Sequence, residues 1–155
     1  MLFLLDMNNR TDQRLNYLRS RIDHTMDDSI SPFGRWLNGT IREVEYGKLV
    51  ADFTVREELT NPAGVLHGGA AAAILDELIG TMVYALGREY AYTSVNFNID
   101  FLHAARLGDI VTATAETIRV GKNIIHCEGR IIATDGKIIA KCATNLIQTS
   151  VKLPI

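Results

Sequence analysis

An α+β fold, with one long buried helix wrapped by an antiparallel sheet of about six strands, is predicted for this chain of 155 residues. Three observations carry that prediction. The segment His67 to Leu86 is apolar on nearly every face and long enough for about five helical turns, so it must be buried on several sides. From Tyr90 onward the period switches to two, with Thr93, Val95, Phe97, Ile99 and Phe101 alternating with Ser94, Asn96, Asn98 and Asp100. Turn signals at Gly108-Asp109, Gly121-Lys122-Asn123 and Asp135-Gly136 then divide the rest of the chain into strand-length pieces.

The elements follow in order. Leu15, Leu18, Ile22 and Met26 recur at spacings of three and four, which predicts an amphipathic surface helix from about Asn9 to Asp27. Ser31-Pro32-Phe33-Gly34 is expected to break it. Two strands, Thr40 to Tyr46 and Leu49 to Glu57, are joined by a turn at Gly47-Lys48. After the Thr60–Gly64 loop the long helix opens on Gly68-Gly69 and four alanines, and Gly87 is suited to end it. Strands at 110–120, 124–134 and 137–149 complete the sheet. No repeat, low-complexity run or linker interrupts the chain, so residues 1–155 read as one domain with residues 1–34 as a helical extension.

Composition narrows the function classes. Hydrophobic residues are 47% and charged residues 22%, the usage of an ordinary globular protein. A net charge of -2 and a pI near 6.1 supply no general attraction to nucleic acid or to an anionic membrane. The apolar run Leu2–Leu5 is too short for the core of a signal peptide and Asp6 closes it. Asp76 and Glu77 interrupt the other long apolar stretch, at a depth where a membrane span would not tolerate them. Two cysteines, Cys127 and Cys142, lack CxxC spacing and read as small buried residues, so a cytoplasmic setting is expected. Four histidines without ligand spacing predict no metal site, and no cofactor is implied.

The main anomaly is the Asp76-Glu77 pair inside the most apolar helix. Adjacent helical residues project about 100° apart, so the two carboxylates face different surroundings, and either could be the functional one. Gly68-Gly69 opens the same helix and exposes backbone N–H groups that can polarise a carbonyl oxygen. A phosphate site would need a P-loop Lys-Ser/Thr, which is absent, and no G-x-S-x-G occurs. Gly68 and Asp76 lie about 12 Å apart along the helix axis. One subunit's Asp76 is therefore expected to serve the helix start of another, in a symmetric dimer with composite sites.

Asn61, Gly64, His67-Gly68-Gly69, Asp76 and Gly80, followed by the strand Ser94–Ile99, resemble the PaaI-like branch of hotdog-fold acyl-CoA thioesterases. The likeness runs from about Leu37 to Thr149; the N-terminal helix lies outside it. It implies a homodimer, or a dimer of dimers forming a homotetramer, that hydrolyses an acyl-CoA thioester to a carboxylic acid and coenzyme A. Asp76 would be the nucleophile or the general base, and the Gly68 N–H the oxyanion donor. His67 and Asn61 would position the thioester or the water, with Ser94 beside Asp76. His103-Ala104-Ala105 departs from the proline the family often has after this strand. The basic residues Arg106, Arg119 and Lys122 are candidates for the phosphates of coenzyme A. His67 could instead simply cap the helix, and Ser94 could be an ordinary polar strand residue. The rival activities are a hotdog-fold hydratase or dehydratase and a non-catalytic acyl-CoA sensor.

Overall fold

The computed structural model describes residues 2–153, and the expected architecture is present in them. Helix α1 spans Leu2–Ser20, a short α2 spans Pro32–Leu37, and the long α3 spans Gly68–Tyr84. Six strands, β1 (Thr40–Glu45), β2 (Lys48–Thr54), β3 (Tyr90–Phe101), β4 (Ile110–Val120), β5 (Ile124–Ala133) and β6 (Ile138–Lys152), form one sheet. All its pairings are antiparallel and its order is β1-β2-β4-β5-β6-β3. The sheet's inner face covers α3, whose Ile74, Leu75, Leu78 and Ile79 are fully buried. Gly129 of β5 has no side chain because the Leu75 Cδ2 and Cys142 Sγ already occupy that space, 3.1 and 3.2 Å from where its Cβ would lie.

Three local expectations are corrected. The N-terminal helix ends at Ser20, not Asp27. Residues beyond it satisfy their backbone groups against β1 and the residue before it instead, through Asp23 N–H to Ile41 O (2.8 Å), Met26 N–H to Gly39 O (2.8 Å) and a bridge between Thr25 and Thr40. Ser31-Pro32-Phe33-Gly34 does not break a helix but starts one. The Ser31 side chain caps α2 by accepting from the Gly34 N–H (3.1 Å), and Pro32 fills the first helical position, where no N–H is needed. The strand expected to reach Glu57 stops at Thr54, because its partner β4 begins at Ile110, and a 3₁₀ turn at Glu57–Leu59 follows.

Helix α1 is less of a surface helix than its charged residues suggest. Leu15 and Leu18 are buried, and so is Arg14, at 2% exposure. Its guanidinium donates to the carbonyls of Tyr84 (3.1 Å) and Arg88 (2.9 Å) and lies 4.3 Å from the centre of the Tyr84 ring. A cation at the carbonyl end of α3 is favourably placed in the field of that helix. Just beyond, Gly87 has φ +73° and packs against α1 so closely that a Cβ would lie 2.6 Å from the Thr11 backbone nitrogen. Gly87→Ala is expected to cost about 1–3 kcal/mol of stability through the left-handed backbone and this overlap. A denaturant titration showing no change would remove the contact from the account of how α1 docks.

Both cysteines are free and face the core. Burial pushes the Cys127 thiol up to about 12 and the Cys142 thiol up to about 11.

Candidate active site

Asp76 lies on α3 between the buried Leu75 and the half-buried Glu77, and it is exposed. Ser94 of β3 donates from Oγ to the Asp76 Oδ1 at 3.1 Å, so helix and strand fix this carboxylate together. β3 is an end strand of the sheet. Its outer edge has no strand partner among the described residues, and it exposes Val95 and Phe101. A free edge of this length is one that proteins ordinarily cover.

Gly68, His67 and Asn61 gather at the other end of the α3–β3 contact. The Phe101 ring lies 3.2 Å from where a Gly68 Cβ would stand, so glycine allows the helix start to lie against the strand end. His67 caps α3, its Nδ1 accepting from the Gly69 N–H at 2.9 Å. That bond requires a bare Nδ1 and, in the neutral ring, leaves the N–H on Nε2. Capping is thus what the structure shows for His67. The Gly68 N–H has no acceptor among the described residues. Asn61 Oδ1 accepts from the N–H groups of Ala63 (3.0 Å) and Val65 (3.4 Å), which shapes the turn that delivers His67 to the helix start.

Residues 63–140 match the thioesterase superfamily model. The chain belongs to the thioesterase superfamily. Human acyl-coenzyme A thioesterase 13 is 31% identical to it over 96 residues, 61% of this chain and 69% of that relative. Among solved structures, the E. coli PaaI protein of the phenylacetic acid degradation operon aligns with a TM-score of 0.77 at 19% identity. That alignment covers 94% of this chain and 98% of PaaI. A hypothetical thioesterase from Streptococcus pneumoniae TIGR4, solved with coenzyme A, aligns at a TM-score of 0.69 and 22% identity, over 75% and 89% of the two chains. The fold is the hotdog fold of these neighbours.

In this thioesterase a cavity of about 330 Å³ opens beside Asp76. Glu77, whose place beside Asp76 left the choice of carboxylate open, also lines it and accepts from the Ser31 Oγ at 3.0 Å. Burial raises the Glu77 carboxyl above its ordinary value of 4.5; the Ser31 hydrogen bond opposes the rise and the Asp76 charge adds to it. The folded chain therefore holds this proton more tightly than the unfolded one. The resulting stability is fully present below about pH 4.5 and is lost as pH rises through the raised pKa. Glu77→Gln is thus expected to gain melting temperature relative to wild type at about pH 7 but not at about pH 4, with an excess under about 1 kcal/mol because the group is partly solvated. An advantage that grows toward acid would reverse the sign of this argument.

The three candidate phosphate-binding residues of the thioesterase do not form one cluster. Arg106 lies near the Gly68 end, where Val65 bridges to it and Leu107 N–H donates to Gly64 O (3.0 Å). Arg119 and Lys122 lie by the β4–β5 turn, where the Lys122 carbonyl accepts from the Tyr92 hydroxyl (2.6 Å). Sequence reasoning missed the part residues 17–31 play in walling the cavity; the capping signature at Ser31-Pro32 was the signal that could have found it. Among the described residues no group of three or more His, Cys, Asp or Glu could hold a metal, and no helix is long and apolar enough to cross a membrane.

Proposed function

We propose that this chain, as one domain, is an acyl-CoA thioesterase of the reducing cytoplasm, working as a homodimer or a dimer of dimers with composite active sites. The observation that carries the reading is the placement of Asp76 and Gly68 at two separate points along β3, whose outer edge has no strand partner among the described residues. Asp76 is tied to Ser94 and Gly68 lies against Phe101. Pairing β3 antiparallel with its own copy about a two-fold axis at Asn98 would bring Ser94, across the irregularity between Ser94 and Asn96, near the partner's Phe101. Asp76 then faces the partner's Gly68, and the free edge is covered by an isologous interface.

In such a site the Gly68 N–H of one subunit donates to the thioester carbonyl oxygen and stabilises the oxyanion that develops there. Asp76 of the other acts in one of two ways. As a base it takes a proton from water while the water oxygen bonds to the carbonyl carbon. As a nucleophile it bonds to that carbon itself, and water then cleaves the anhydride. Either way the C–S bond breaks and coenzyme A leaves as a thiolate. The conjugate thiol of that leaving group has a pKa of roughly 8.5, so it departs with little help from an acid. His67 and Asn61 hold the loop and helix start that aim the oxyanion donor, and Ser94 orients Asp76. In this reading Arg106, Arg119 and Lys122 would meet the phosphates of coenzyme A. Kinship to relatives named acyl-coenzyme A thioesterases and likeness to a neighbour solved with coenzyme A support the substrate class.

Thiol release from a panel of acyl-CoAs tests the reading. Turnover by the wild type is expected; binding without turnover would favour a sensor, and addition of water to an enoyl-CoA would favour a hydratase. Light scattering that reports a monomer at working concentration would overturn the composite site.

A further inference from the structure

The cavity beside Asp76 has a wall that lies wholly outside the family model, which begins at residue 63. α3 and β3 supply two sides; the third is formed by the N-terminal segment, with Tyr17, Leu18, Met26, Ile30 and Ser31. This segment is held in place at several points. Arg21 donates to Thr25 O (2.9 Å) and pairs with Asp27 and Asp28 (2.9 and 3.1 Å), while Arg35 donates to Ser29 O (2.6 Å). Its side-chain tie to α3 is the hydrogen bond from the Ser31 Oγ to Glu77. Gly34 sits directly over that carboxyl, and a Cβ there would run into the Glu77 Oε1. One serine hydroxyl thus links the carboxyl of α3 to the first turn of α2, with the wall residues just before it in the chain.

We infer that Glu77 is a positioning residue for substrate selection: through Ser31 it holds residues 26–31 as the end wall of the acyl pocket, and that wall limits the length of the acyl group. The inference rests on the acyl-CoA reading above. Glu77 points at the wall rather than at Ser94, so it is separated from Asp76 by role as well as by its place on the helix. A chain longer than the pocket must displace Met26 and Ile30. With the tie intact, that displacement also breaks a hydrogen bond to a half-buried carboxyl.

The test uses two readouts across a series of straight chains from short to long: affinity for S-alkyl coenzyme A thioethers, by calorimetry, and kcat/KM for the matching acyl-CoAs. Wild type is expected to fall off sharply beyond one length. Ser31→Ala and Glu77→Ala should raise the long-to-short ratio at least about tenfold, the least that one methylene is worth in an apolar pocket. Glu77→Gln keeps an oxygen that accepts from Ser31 and should restore the wild-type profile, whatever its absolute rate. Ile30→Ala removes wall bulk at an exposed position without touching the tie, and should move the cut-off the same way even if the tie variants fold poorly. Uniform scaling at all lengths, a Glu77→Gln profile like that of Glu77→Ala, or an unmoved cut-off in Ile30→Ala would each overturn the inference. A shifted thioether profile without any thiol release would uphold the wall and refute hydrolysis. A wild type that binds no thioether would refute both.

Discussion

Asp76→Asn is expected to lower kcat for acyl-CoA hydrolysis by about 10²–10⁴-fold while changing KM little. Asparagine retains the shape and an oxygen that can accept from Ser94, so the local geometry at 3.1 Å should survive. It loses the ability to take a proton from water and the charge that would make it a nucleophile. The loss should fall on the chemical step, since Asp76 is exposed and the substitution removes its charge without changing its bulk. Steady-state kinetics on a good substrate, with single-turnover traces to separate chemistry from product release, decide the matter. Full kcat in the variant would move the reaction away from Asp76, and its helical neighbour Glu77 would be the next carboxylate to test.

The largest expected loss of stability is at Leu75, one residue away but facing inward. Leu75 is fully buried, and its Cδ2 fills the space above Gly129 on β5. Leu75→Ala should therefore open a cavity between α3 and the middle of the sheet that neither side can close, because Gly129 has no side chain to lean in. A cost of about 2–5 kcal/mol is expected, corresponding to a fall in melting temperature of about 5–15 °C for a chain of this size. A fall of only a degree or two would mean that the sheet collapses onto the helix more readily than its packing suggests.

These two substitutions also show what was legible in the sequence. Leu75 and Asp76 could be told apart only in part: an apolar helix interrupted by a carboxylate announces a site, and the HGG start with an aspartate nine residues on pointed to its chemistry. The alternation from Thr93 to Phe101 identified β3, because a half-buried strand writes its burial into every second residue. That β3 lies beside β6 at the end of the sheet could not be read locally, since the partners of Ser94 and Phe97 are Leu146 and Thr144, some fifty residues away. The burial of Arg14 is hidden from the sequence for a related reason. The residue looks like a solvent-facing one of an amphipathic helix until the carbonyls of Tyr84 and Arg88 are brought to it. The misreading at Ser31-Pro32 differs in kind: serine before proline is a helix start as well as a loop signal, and the capping rules favour the start. Asn61 and His67 were expected beside substrate, and the side-chain bonds shown for them are to the loop and the helix start.

The state of the two cysteines bears on how every kinetic experiment above is read. Chromogenic disulfides detect released coenzyme A by reacting with thiolates. With Cys127 and Cys142 buried and their thiols pushed up to about 12 and about 11, the folded protein should hold almost none of the reactive form at mildly alkaline pH. Colour should then track product alone. A slow stoichiometric rise in the absence of substrate would report the protein opening, so the same cuvette that measures turnover doubles as a gauge of unfolding.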